Sequence, residues 1–249
     1  MIKKTLAAIA LIAASSFATW DKFPVLDQGN GQAKVGFEYD ILGDLSIAGV
    51  GAGARYSVIQ NLEIALNFGY VLWTDYDGED MEIDGLTNPE IGVRYFLPMG
   101  LGFFLESSLP FGNEDVDYTG FGFHFGAQYS TAFSDMIVFG SELGLALYTE
   151  DDDKATHGTE LNAGIEVDFK LGMVTPFVGL DIIYMLTDSE WDGYSDDDGG
   201  NMGIAPCVGL LFAFNDMISA DIKGTLGTGD YFSEDDNLII LAINGYVNF

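Results

Sequence analysis

The ionisable residues of this chain fall into three groups, each with its own possible chemistry. Five bases, Lys34, Arg55, Arg94, Lys170 and Lys223, stand in stretches that alternate polar and apolar residues. Glu38, Asp40, Glu63, Glu90, Glu106, Glu142, Glu160, Glu166, Asp168, Asp181 and Asp221 recur at the same parity. Charges that share one enclosed space can select ions, and a surplus of acids favours cations or neutral solutes. The second group is crowded carboxylates: Asp75, Asp77 and Glu79, and further on Asp196, Asp197 and Asp198. Such oxygens can ligate Ca²⁺. The run from Asp75, however, lacks the glycine position and the distant Glu of an EF-hand loop, and a solvated anionic rim explains it more simply. The third group is two histidines. Catalysis by His needs a nucleophile or acid in reach. His124 stands at the parity of Gly122 and Gly126, while His157 follows Asp151, Asp152 and Asp153, so both are most simply incidental. No motif calls for a cofactor. Cys207 is the one cysteine, which excludes an intrachain disulfide and leaves it as a small apolar filler.

The elements that must position these residues have a period of two. Leu62, Ile64, Leu66, Phe68, Tyr70 and Leu72 fall on one side of their segment, opposite Glu63, Ala65, Asn67, Gly69 and Val71. In 161–171, Leu161, Ala163, Ile165, Val167, Phe169 and Leu171 oppose Asn162, Gly164, Glu166, Asp168 and Lys170. Side chains of a strand point to opposite faces in turn, so these are two-faced strands. Twelve are expected, over 32–42, 46–58, 61–73, 88–97, 101–110, 118–132, 136–148, 158–170, 174–187, 202–214, 217–228 and 237–249. Most exceed the five or six residues common in globular strands and match the ~9 to 11 that cross a bilayer when tilted. Tight turns such as Gln60-Asn61, Ser134-Asp135 and Asn215-Asp216 alternate with longer acidic loops. Short periplasmic turns and long external loops are the habit of outer-membrane barrels. The Gly43-Asp44 connection, short where a long one is due, is the exception.

Placement of charge separates a membrane barrel from a soluble sandwich. Every one of these strand charges falls on the smaller, more polar face. The other face is a band of Phe103, Leu105, Phe121, Phe123, Phe125, Leu143, Leu145, Ile182, Leu210 and Phe212. A basic side chain facing mid-bilayer lipid costs roughly 2–4 kcal/mol, so the charged face must line the lumen. Tyr56, Tyr95, Tyr129, Phe169 and Phe214 would mark the periplasmic rim, and Tyr70, Trp73 and Tyr184 the outer one. Two readings of the interior stay open. Glycines at lumen parity, among them Gly49, Gly102, Gly122, Gly144 and Gly209, would leave space for a narrow aqueous pore. Alternatively, paired charges with Phe96, Phe104 and Tyr148 would plug it. The formal charge of -30 excludes nucleic-acid binding, which needs surplus Lys and Arg.

The two ends of the chain agree with this address. Lys3 and Lys4 precede an apolar run over 5–14, and Ser16-Phe17-Ala18 offers a cleavage site. Residues 1–18 are expected to be a signal peptide, 19–31 a periplasmic lead-in and 32–249 the barrel. The last strand runs Leu241-Ala242-Ile243-Asn244-Gly245-Tyr246-Val247-Asn248-Phe249. Its Leu241, Ile243, Val247 and terminal Phe249 resemble the C-terminal assembly signal of bacterial outer-membrane β-barrel proteins. Val247 stands where Tyr is frequent, and Gly245 interrupts the series. The glycine-rich alternation from Val35 to Tyr70 also resembles the outer-membrane transporters associated with the MetA pathway of phenol degradation. These resemblances imply an all-β, antiparallel up-and-down transmembrane barrel of about twelve strands. They imply partners as well: outer-membrane lipid and lipopolysaccharide, the secretion channel, periplasmic chaperones, and the barrel-assembly machinery. The expected function is a passive channel or uptake porin for small solutes, cationic or neutral. The alternatives are a structural or surface-interaction barrel with a Ca-binding rim and, less well supported, an outer-membrane enzyme.

Overall fold

The computed structural model describes residues 22–113, 116, 120–150, 155–191, 194–195, 197–233 and 236–249. The expected signal segment 1–18, residues 151–154 and Asp196 lie outside that set. Twelve long strands carry the fold: β1 Gly31–Leu42, β2 Leu45–Ile59, β3 Leu62–Tyr76, β4 Glu90–Phe96, β5 Leu101–Ser108, β6 Gly122–Ser134, β7 Ile137–Tyr148, β8 Glu160–Phe169, β9 Val174–Met185, β10 Met202–Ala213, β11 Ile218–Gly227 and β12 Leu238–Asn248. Each pairs antiparallel with its neighbours in sequence. β1 closes the ring on β12, running from Gln32↔Asn248 to Leu42↔Leu238. The structure is a closed, twelve-stranded, up-and-down barrel, as the alternation requires.

The closure leaves none of the twelve long strands at a sheet edge. Outward positions stay open to the surroundings and are almost all apolar: Val35, Ile165, Val208 and Ile243 among them. All eight aromatics expected at the rims also face outward.

The Gly43-Asp44 connection is real. β1 and β2 remain paired up to Leu42↔Leu45, and Gly43 takes the left-handed conformation (φ 58°) that a two-residue turn needs. At the opposite end of the barrel Asn61 does the same work at φ 70°. One departure from strict alternation occurs in β3. Ala48 pairs with Trp73 but Gly49 with Val71, so Leu72 is a bulged extra residue. Beyond it the parity flips, turning Trp73 outward and the fully buried Thr74 inward.

β4 and β5 are shorter than expected, at 7 and 8 residues. Pro89 has no N–H for a ladder, which ends β4 there. The chain before it turns back so that Gly85 and Leu86 pair with Val71 and Tyr70 of β3. Side chains from these outer loops then enter the mouth of the barrel. Val116 is 1% exposed among Leu45, Ile47, Val71, Leu238 and Ile240, with Met81, Ile83 and Phe232 packed against them. An apolar cluster therefore caps the outer end of the lumen.

Candidate functional site

The lumen is built by the inward parity of all twelve strands. Lys34, Glu38, Arg55, Glu63, Glu90, Arg94, Glu106, His124, Glu142, Glu166, Asp168, Asp181, Asp221 and Lys223 all stand at inward positions, from fully to half buried. Lys170 lies one residue past the end of β8, exposed in the β8–β9 turn, with its N–H donating to Met136 O at 2.8 Å. Asp40 and Glu160, on the same face, are buried.

The half of the lumen near the chain termini is organised around Glu63, 1% exposed. It receives Arg94 at 2.5 Å, faces Arg55 at 3.7 Å, and accepts a hydrogen bond from the backbone N–H of Leu26. That last contact places the lead-in within the lumen rather than below it. Lys22 is 8% exposed, and its ammonium donates to Asp181 of β9. Burial alone would lower the Lys22 pKa, but Asp181 and Glu166 outweigh it and hold the group above its ordinary value. Gly140 and Gly164 make room for this segment. A Cβ on Gly140 would lie 2.3 Å from the Lys22 carbonyl oxygen, and one on Gly164 2.5 Å from Lys22 Cε. The segment returns to the rim where Gly29 N–H donates to Ser57 O.

The middle is a polar network. Gln128 donates to Glu142 at 2.7 Å, His124 meets Glu106 at 3.4 Å, and Asp221 accepts from Asn244 at 2.9 Å and from the Tyr246 hydroxyl. Gln128, Asn244 and Tyr246 were legible at the parity of the charged residues, although neutral. Lys22 precedes the first strand, so no periodicity marked it. Several lumen glycines do not open the pore, because rings lie against them. A Cβ on Gly102 would strike Phe96, one on Gly209 would strike Phe177, and one on Gly144 would strike Phe104 and His124. Phe96 and Phe104 are buried, and Tyr148, the third ring of the plugged reading, is partly buried.

The second histidine gathers a different cluster. His157 Nε2 lies 2.7 Å from Glu160 and Nδ1 3.5 Å from Ser189 Oγ. The order Ser, His, Glu is that of a nucleophilic triad, but the Ser189 hydroxyl donates to Asp198 at 2.8 Å and accepts from the Gly158 N–H. The nearer acceptor of that hydroxyl is a carboxylate, not the imidazole. With Tyr231 also bonded to Glu160, the cluster ties three outer loops together. The calcium candidates are similarly engaged: Asp75 accepts the Gly78 N–H and Asp198 that of Ser189. Asp77 and Asp197 adopt left-handed turn conformations, and Glu79 pairs with Tyr76. Among the described residues, no three His, Cys, Asp or Glu side chains are gathered for a metal.

A family model described as "Putative MetA-pathway of phenol degradation" matches residues 83–236, more than half of the chain. No curated protein matches in sequence. Among solved structures, the COG4313 outer membrane channel from Pseudomonas putida F1 superposes with a TM-score of 0.75 at 12% identity, over 92% of this chain and 98% of that one. The translocator domain of autotransporter NalP from Neisseria meningitidis gives 0.60 at 11% identity, over 98% of each. The CymD monoaromatic hydrocarbon channel gives 0.52 at 8% identity, over 89% of each. At such identities the likeness is one of fold.

Proposed function

This chain belongs to the family of the MetA pathway of phenol degradation, and from that premise we propose that it is a passive outer-membrane channel for small solutes. The observation that carries the reading is the two-sided wall: ionisable strand residues turn inward around a common space while apolar side chains turn outward. A wall that bears Glu38, Asp40, Glu63, Glu106, Glu142, Glu166 and Asp221 against few bases favours cations and neutral solutes over anions. The protein performs no bond chemistry in this reading. Its His157 cluster fastens loops. Leu241, Ile243, Val247 and Phe249 all point outward, where the barrel-assembly machinery would read them before lipid and lipopolysaccharide surround them.

The test is conductance of purified, folded protein in planar bilayers, with the reversal potential measured across a salt gradient. Expected are discrete steps and a potential displaced toward the cation equilibrium. Folded protein that never conducts would overturn the proposal, and an anion-directed potential would overturn the preference.

A further inference from the structure

The channel reading leaves one buried histidine without a task beyond fastening. His157, 8% exposed, lies in the loop between β7 and β8, and the protons around it can be assigned one by one. Glu160 is approached by His157 Nε2 at 2.7 Å, by the Tyr231 hydroxyl, and by Asn162 at 3.4 Å. A carboxyl group ringed by donors is an ionised acceptor, so Nε2 carries a proton. On the other side of the ring, Nδ1 lies 3.5 Å from Ser189 Oγ. That hydroxyl has one proton and gives it to Asp198, which also accepts the Ser189 N–H at 2.6 Å. Oγ therefore meets the imidazole with a lone pair. A neutral ring would set its own lone pair against it, whereas an imidazolium donates from both nitrogens. The remaining walls do not alter this count. Tyr148 of β7 stands edge-on with its ring centroid 4.9 Å away, and the buried Met185 pairs with Glu160 across β8 and β9. His124 is separated from Glu160 by Ala146.

The charged ring is connected to the cap of the lumen. Tyr231, held by Glu160, is followed by Phe232, and the two rings meet edge-to-face at 5.1 Å. Both lie on Gly203 of β10, where a Cβ would fall 2.7 Å from Phe232 and 3.0 Å from Tyr231. Phe232 packs in turn against the apolar cluster of Val116, Leu238 and Ile240. One imidazolium thus ties the β7–β8, β9–β10 and β11–β12 loops and, through Tyr231, reaches the cap.

We infer that His157 is a proton-operated latch: as an imidazolium it holds the three loops and the cap across the lumen, and loss of its proton releases them. Because the fold favours the charged ring, the tie is complete on the acid side and is lost as the pH rises. The latch rests on the channel reading for its effect on flow; the closure of the loops does not. With two histidines in the chain, NMR of isotope-labelled histidine in the full folded protein, assigned with His157→Gln, reads the charge of the ring between about pH 6 and pH 9. Proteinase K cleavage of the loops and bilayer conductance read the release. Expected is an imidazolium at the acid end, with cleavage rising about tenfold or more, and conductance with it, as the ring loses its proton. His157→Arg, charged throughout, should stay closed, and its cleavage corrects for the protease's own pH dependence. His157→Gln should be open at every pH. Tyr231→Phe should open the cap while His157 still titrates. Gel mobility that shifts on boiling checks folding, and Tyr231→Phe keeps the test intact if a His157 variant does not fold. A neutral His157 at the acid end, cleavage indifferent to pH, or the same pH profile in His157→Gln would overturn the latch. A protein whose loops release but which never conducts loses only the channel, and one that conducts equally at every pH while His157 titrates loses only the latch.

Discussion

Glu63 shows how a single residue carries both stability and closure in this lumen. Its carboxylate is held by Arg94 and by the Leu26 N–H, so truncating Arg94 leaves a buried charge without its main partner. Arg94→Leu should cost about 3–5 kcal/mol, and adding Glu63→Leu should restore part of it, as measured by urea unfolding in lipid vesicles. Lys22 is the corresponding residue of the lead-in. Lys22→Ala removes the ion pair with Asp181 and should raise single-channel conductance by loosening the segment within the lumen. Unchanged conductance would mean that the lead-in does not limit flow. Glu63 and Arg94 were both legible from parity, but their partnership was not, because 31 residues separate them and only the β3–β4 register sets them opposite each other.

At the scale of the element, each strand is defined by what its two faces tolerate. Ile165 of β8 points outward at 45% exposed, between Ser141 and Leu180 on the neighbouring strands. Ile165→Lys should destabilise the folded barrel by roughly 2–4 kcal/mol in urea titrations, the usual cost of a mid-bilayer cation. A stability change near zero would mean that this face does not meet lipid. Inward, Gly140 is small because the lead-in lies on it. Gly140→Val should displace the segment and raise conductance in the same way as Lys22→Ala. Strand number, turn positions and facing were readable from alternation. The early end of β4 is explained by Pro89 and by the loop that pairs on β3. The flip at Leu72 had no warning in the periodic pattern, since a bulge is a choice made by the pairing of two strands.

The whole molecule is held by closure. The terminal Phe249 lies against Gly31, where a Cβ would fall 2.4 Å from its ring, and the two backbones exchange hydrogen bonds of 2.7 and 2.9 Å. Gly31→Val should therefore weaken the seam, seen as a lower temperature at which gel mobility shifts to the unfolded position. An unchanged transition would assign the closure to the rest of the β1–β12 ladder. By itself the sequence determined the class of fold, the number of crossings and the face that meets lipid. Each of these follows from local alternation and from the cost of placing charge in hydrocarbon. Which charges pair, which glycines are covered by rings and where the lead-in goes were decided only by tertiary structure. Those outcomes depend on register, bulges and loops that meet across the barrel, and no periodicity along one strand encodes them.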